Sequence, residues 1–116
     1  MTKPRKTALQ LVEEAEAEVT TLSGDEAHAL LGSEDATIFD IRDVRELWRE
    51  GTIPGAVHTP RGMLEFWADP ESPYHRDVFA SGKQLVLFCA SAWRSALAAK
   101  ALQDMGVPNM AHIGGG

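Results

Sequence analysis

The sequence predicts an α/β fold, a small parallel sheet with helices on both of its faces. Three observations predict it. Short apolar runs suited to strands alternate with stretches of helical period. The runs at 36–41 and 84–88 are mostly apolar rather than alternating, which fits strands covered on both sides. At 116 residues, with 44% hydrophobic and 24% charged residues, the chain has room for one core and one domain.

The elements follow in order. Residues 3–6 read as a loose basic leader. Leu9, Val12, Ala15 and Val19 recur at helical spacing, so an amphipathic helix is expected over 7–18. Leader and helix together occupy 1–18, and the domain itself spans 19–116. Residues 19–22 form a short strand. Ser23 caps the next helix, with Glu26 completing a capping box, and Gly32 stops that helix after residue 31. The second strand covers 36–41. Asp43 caps a helix through Glu50 whose inner face is Val44, Leu47 and Trp48, and Gly51 ends it. Residues 52–58 turn into a short extended piece, and one or two helical turns follow over 62–67. Asp69, Pro70 and Pro73 then break the chain. Residues 74–81 carry no clear signal. The buried strand 84–88 leads through a loop to a helix over 96–105, stopped by Gly106 and Pro108. A last short strand occupies 110–113, and three glycines follow it.

Composition narrows the function. The formal net charge is −6, and no basic stripe interleaves with aromatics, so no nucleic-acid partner is expected. A small anionic substrate stays open, because local fields decide that. The single cysteine, Cys89, cannot form an internal disulfide and needs no oxidising compartment. The basic start runs into an acidic amphipathic stretch with no apolar signal region, and no segment nears the length of a membrane span. A cytoplasmic location with no membrane partner is expected. His28, His58, His75 and His112 lie apart with no metal-ligand spacing, so no metal and no cofactor are expected. For His58 a structural hydrogen bond is the expectation.

Cys89 is the most informative residue. It stands where a strand stops and a helix starts, on a loop of Cys89, Ala90, Ser91, Ala92, Trp93, Arg94 and Ser95. Backbone N–H groups and the positive end of a helix dipole favour an anion at such a point, which makes a thiolate easier to form and a ligand anion easier to hold. Inward-facing loop amides are expected to ring the sulfur. In parallel sheets, sites gather at the carboxyl ends of strands, and Asp40, Ile41 and Arg42 mark a second such end.

Each of these residues has a plainer reading. Cys89 is a nucleophile or a buried structural thiol. Arg94 binds a donor's anionic group or braces the loop through a carboxylate, with Asp40 the expected partner. Ser95 caps the helix, or turns its hydroxyl to the thiolate. Asp40 reads as a scaffold group and Arg42 as a weak candidate for anion binding. Arg45, Glu46 and Arg49 read as charges on a helix surface. Trp93 walls the loop or packs on the helix at 63–67, and Phe66 and Trp67 line a rim or pack.

Four blocks carry a family resemblance. They are Asp40-Ile41-Arg42 followed by Glu46, the run Gly51-Thr52-Ile53-Pro54-Gly55-Ala56-Val57-His58, Cys89 with Arg94-Ser95, and His112-Ile113 with the closing glycines. In this order and at these separations, the chain from about Val19 onward resembles the rhodanese family. The resemblance implies a rhodanese-like fold of about five parallel strands. It also implies a sulfurtransferase that takes sulfur from a small anionic donor such as thiosulfate and carries it as a persulfide on Cys89. A thiol, cyanide or a protein cysteine would then accept it.

Three departures from the family pattern matter. Ala92 stands where many members carry glycine, and a positive φ there would cost about 1 kcal/mol. Ala90, Ser91 and Ala92 are uncharged, whereas many thiosulfate-using members carry a basic residue beside the cysteine. The family normally continues past the glycine-rich turn into another helix, which this sequence is expected to lack; the helix over 7–18 or a partner chain is then expected to cover that sheet face, and self-association stays open. Two alternatives stand beside sulfur transfer. One is a non-catalytic binding or sensor module. The other is a Cys-dependent phosphatase, whose loop needs five residues between cysteine and arginine where this chain has four.

Overall fold

The computed structural model describes residues 5–115. Residues 3 and 4 of the expected leader, and Gly116, lie outside them. Helix α1 (Ala8–Glu18) leads into β1 (Thr20–Leu22), α2 (Gly24–Ala29), β2 (Ala36–Asp40), α3 (Val44–Glu50) and β3 (Val57–His58). A 3-10 turn (Arg61–Met63), α4 (Leu64–Ala68) and a second 3-10 turn (Asp77–Ala80) precede β4 (Gln84–Phe88), α5 (Trp93–Asp104) and β5 (Met110–Ile113). The five strands form one sheet in the order β1-β5-β4-β2-β3, and every pairing is parallel. The fold expected from the sequence is the fold found. Among the described residues no helix is long and apolar enough to cross a membrane.

Strand pleating divides the core in two. Phe39, Leu85, Leu87 and Met110 face α4 and α5 and join Leu64, Ala68, Phe79, Ala98, Ala99 and Leu102 in the main cluster. The alternate residues Ile38, Val86, Ala111 and Ile113 face α2 through Ala27. Phe79 fixes the otherwise featureless 74–81 segment by stacking on Phe39, with ring centroids 4.7 Å apart. Helix α1 packs on α5. Its Val12 and Ala15 pack on Ala96 and Leu97, so it covers the outer side of α5.

The capping boxes at Ser23–Glu26 and Asp43–Glu46 both form. Three packing expectations are corrected. Leu9 is 52% exposed, because the α1 contact narrows to Val12 and Ala15. Trp48 is 75% exposed and Val44 41%, and α3 buries none of its side chains. Leu64, Ala68 and Phe79 fill the core that α3 was expected to enter. Helix α5 begins at Trp93 rather than at 96, because Ala92 turns the chain with φ 70 and ψ −9. The loop is therefore only four residues, 89–92.

Candidate functional site

The site lies at the carboxyl ends of β4 and β2. Strand β4 delivers Cys89 just past its last residue, and the Ile41 N–H donates to the Phe88 carbonyl, which ties the two strand ends together. The chain then turns at Ala92 into α5. The Ser95 N–H, in the first turn of α5, lies 3.2 Å from Cys89 Sγ. The expected ring of amides reduces to that one, for no other donor reaches the sulfur among the described residues. Cys89 is 1% exposed and belongs to the main apolar cluster, while Ala90 and Ser91 above it are exposed. The thiol is thus the floor of the loop and not an open nucleophile.

Arg94 braces the loop, with a partner other than the one expected. Its two terminal nitrogens donate to Glu46 Oε1 and Oε2 at 2.8 and 2.9 Å, a bidentate fork from α5 to α3. The fork holds the Glu46 carboxyl below its ordinary range. Asp40 cannot play this part because it is already occupied. It is fully buried and accepts from Arg42 Nη2 at 2.8 Å, Arg42 Nε at 3.0 Å and the Thr52 hydroxyl at 2.6 Å. Burial opposes ionisation of Asp40 most strongly. The hydrogen bonds from Arg42 and Thr52 together outweigh it, and the carboxyl titrates below its ordinary value.

Arg42 is not available to an anion either. It is 5% exposed, donates to the Gly51 carbonyl at 2.7 Å, and lies over the Phe88 ring. His58 makes the expected structural bond, with Nε2 2.8 Å from the Arg42 carbonyl. Trp93 opens α5 and is 55% exposed, outside the packed core clusters. Trp67 packs against the main cluster with Arg76 over its ring, and Phe66 is exposed.

Ser95 does not cap the helix; Ala92 holds that position and offers no side-chain bond. The Ser95 hydroxyl instead donates to the Ala92 carbonyl at 3.2 Å and lies 2.9 Å from Nδ1 of His112. His112 is fully buried, and its Nε2 lies 3.0 Å from the Thr21 hydroxyl. Burial lowers its pKa, with the Glu16 carboxylate pulling the other way. Sequence reasoning left His112 without a role. The available signal was strand alternation: Met110 and His112 share one face of an apolar strand, so a buried histidine needing two partners was legible.

The model of the rhodanese-like domain family matches residues 23–116. Among solved structures, a protein of unknown function from Rhodopseudomonas palustris CGA009, described as a possible tyrosine phosphatase, is 46% identical. The match covers 100% of this chain and 89% of that one, with a TM-score of 0.95. EanB, in a complex with ergothioneine covalently linked to a cysteine persulfide, is 26% identical over 84% of this chain, with a TM-score of 0.66. Wild-type EanB matches over the same share with 25% identity and a TM-score of 0.65. The present chain corresponds to only 24% of EanB. No curated protein matches this chain.

Proposed function

We propose that this chain, which belongs to the rhodanese-like domain family, is a sulfurtransferase whose carrier atom is the Cys89 sulfur. The observation that carries the reading is the Ser95 N–H directed at Sγ at 3.2 Å, where β4 ends and α5 begins. A sulfur so placed gains from the helix N-terminus when it is an anion. The thiolate attacks the outer sulfur of thiosulfate, the sulfur–sulfur bond of the donor breaks, and sulfite leaves with the electron pair. The product is a Cys89 persulfide anion. Cyanide or a thiolate then takes the outer sulfur and returns the Cys89 thiolate, a two-stroke reaction. A cytoplasmic setting suits it, because the carrier thiol must stay reduced between strokes. EanB supports the reading, since a persulfide is held on a cysteine in that similar structure.

The burial of Cys89 sets a condition. Attack requires the exposed Ala90–Ser91 segment to yield, and a loop that never yields leaves a binding or sensor module instead. The description of the Rhodopseudomonas protein raises a phosphatase reading, which two observations disfavour. Four residues separate Cys89 from Arg94, one short of a phosphate loop. The Arg94 fork is also engaged end-on by Glu46, which leaves only its Nε–H and outer Nη–H groups for phosphate oxygens.

One experiment separates the readings. The protein is incubated with thiosulfate and its intact mass is measured, with Cys89→Ser as control; thiocyanate release from cyanide follows. A mass gain of one sulfur atom, absent in Cys89→Ser, with thiocyanate formed, is the expected result. No mass gain, with the thiol unreactive to iodoacetamide in the native state, refutes sulfur transfer and leaves the module. Hydrolysis of an aryl phosphate without a mass gain points to the phosphatase.

A further inference from the structure

We infer that His112 is a positioning residue for the Cys89 sulfur, acting through Ser95. The inference rests on the reading of Cys89 as the reacting group. Strand register sets the arrangement: Leu87 of β4 pairs with His112 of β5, so the imidazole stands beside the strand that delivers Cys89 and on the face where α5 packs. Four contacts then run in sequence. Thr21 Oγ1 meets Nε2 at 3.0 Å, Nδ1 meets Ser95 Oγ at 2.9 Å, Ser95 Oγ meets the Ala92 carbonyl at 3.2 Å, and the Ser95 N–H meets Sγ at 3.2 Å.

With the Ser95 hydroxyl donating to the Ala92 carbonyl, one direction of this chain is self-consistent. A carbonyl only accepts, so the single Ser95 hydroxyl proton goes to Ala92. The same oxygen must then accept from His112, which puts the imidazole proton on Nδ1. Nε2 is left as an acceptor for the Thr21 hydroxyl. Every polar atom of the buried ring is satisfied by a neutral imidazole, the form that burial favours.

The consequence is mechanical. The imidazole fixes the Ser95 side chain, and Ser95 carries the amide that faces the sulfur. The chain ends on the carbonyl of Ala92, the loop residue held at φ 70. Left-handed backbone at a non-glycine residue is held by its surroundings and not by its own preference. One ring on β5 therefore steadies both the loop and the amide that completes it.

The test exploits the single cysteine. Thiolate absorbance is recorded against pH in the folded protein, with Cys89→Ser as the blank, for wild type, Ser95→Ala, His112→Gln and His112→Asn. Asparagine places an N–H donor near the position of Nδ1, whereas glutamine reaches only toward Nε2. Ser95→Ala and His112→Gln are expected to raise the midpoint, lowering the thiolate fraction near neutral pH about threefold, the worth of a weakened hydrogen bond to a charged group. His112→Asn is expected to recover most of the loss. Ser95→Ala with His112→Gln together is expected to do no more than either alone, because both act through one chain of contacts. Unchanged midpoints in folded Ser95→Ala and His112→Gln overturn the inference, as do equal effects of the Asn and Gln variants. This readout needs no sulfur donor, so a wild type that forms no persulfide counts against Cys89 as carrier and not against the positioning role.

Discussion

Removing the Asp40 carboxylate tests the claim that the sheet edge beneath the loop is built on a buried ion pair. In Asp40→Ala, Arg42 keeps its charge at 5% exposure, but its guanidinium loses three hydrogen bonds to the carboxylate and its backbone N–H a fourth. Breaking one side of a buried pair costs about 3–5 kcal/mol, most of it from the stranded charge. Two groups soften the loss. The Gly51 carbonyl still accepts from Arg42 at 2.7 Å, and the exposed Glu50 carboxylate stands 3.5 Å away. The lower figure, about 3 kcal/mol, is therefore expected, a large share of the roughly 5–15 kcal/mol available to a domain. It corresponds to a fall in Tm of roughly 12 °C.

Urea and thermal melts of wild type, Asp40→Ala and Asp40→Ala with Arg42→Met measure this directly. The double variant removes the charge as well as its partner, so it is expected to lose less than the single one. A single variant within about 1 kcal/mol of wild type, or a double variant worse than the single, refutes the reasoning. The pH dependence carries a sign that can be checked. The folded Asp40 carboxyl titrates below its ordinary value, so its contribution is complete above the unfolded pKa of about 3.9 and is lost as pH falls through the lower folded value. Wild type is therefore expected to lose stability in that acid window, and Asp40→Ala to lose less of it.

Three further outcomes follow from the contacts. Glu46→Gln keeps an oxygen for the capping box at Asp43 but discharges the Arg94 fork, half exposed as it is, and is expected to cost about 0.5–1 kcal/mol in melts at low salt and less at high salt. Gly114→Ala places a Cβ 2.5 Å from Thr21 Cγ2 and is expected to destabilise by about 1–3 kcal/mol; adding Thr21→Ser, which removes that methyl and keeps the hydroxyl, restores most of it in the same melts. Trp48→Gln is expected to stay within about 0.5 kcal/mol of wild type, because the ring is 75% exposed, and a larger loss shows that α3 is packed more deeply than described.

The fold was legible because strand runs, caps and stops are local. The Ser23 and Asp43 caps, the glycine after α3 and the Gly106–Pro108 stop each depend on neighbours within a few positions, and each is found where local chemistry places it. The position of Cys89 was legible for the same reason. Which polar groups pair around it was not. Glu46 and Arg94 are 48 positions apart, and Asp40 was the expected partner because it stands at the strand end below the loop. The choice turned on Arg42, two residues from Asp40, which closes on that carboxylate before any distant residue can. Trp48 was misplaced by the same kind of limit: helical period shows that a face is apolar but not whether the core still has space for it.

The pairings explain why the loop can be short without glycine. Asp40 with Arg42 secures the end of β2, Glu46 with Arg94 ties α3 to the first turn of α5, and His112 with Ser95 ties β5 to the same turn. The last two grip α5 from opposite neighbours, one residue apart. With that turn fixed on both sides and Cys89 fixed by β4, residues 90–92 must close a set distance, and Ala92 takes the left-handed conformation that closes it. The cost of about 1–2 kcal/mol at Ala92 is thus carried by contacts that lie outside the loop. Among the described residues, each cationic side chain the sequence brings near Cys89 belongs to one of these braces. Arg94 still carries N–H groups beyond the two that hold Glu46, on a side chain 41% exposed, so the brace that fixes the turn also leaves donors beside the loop.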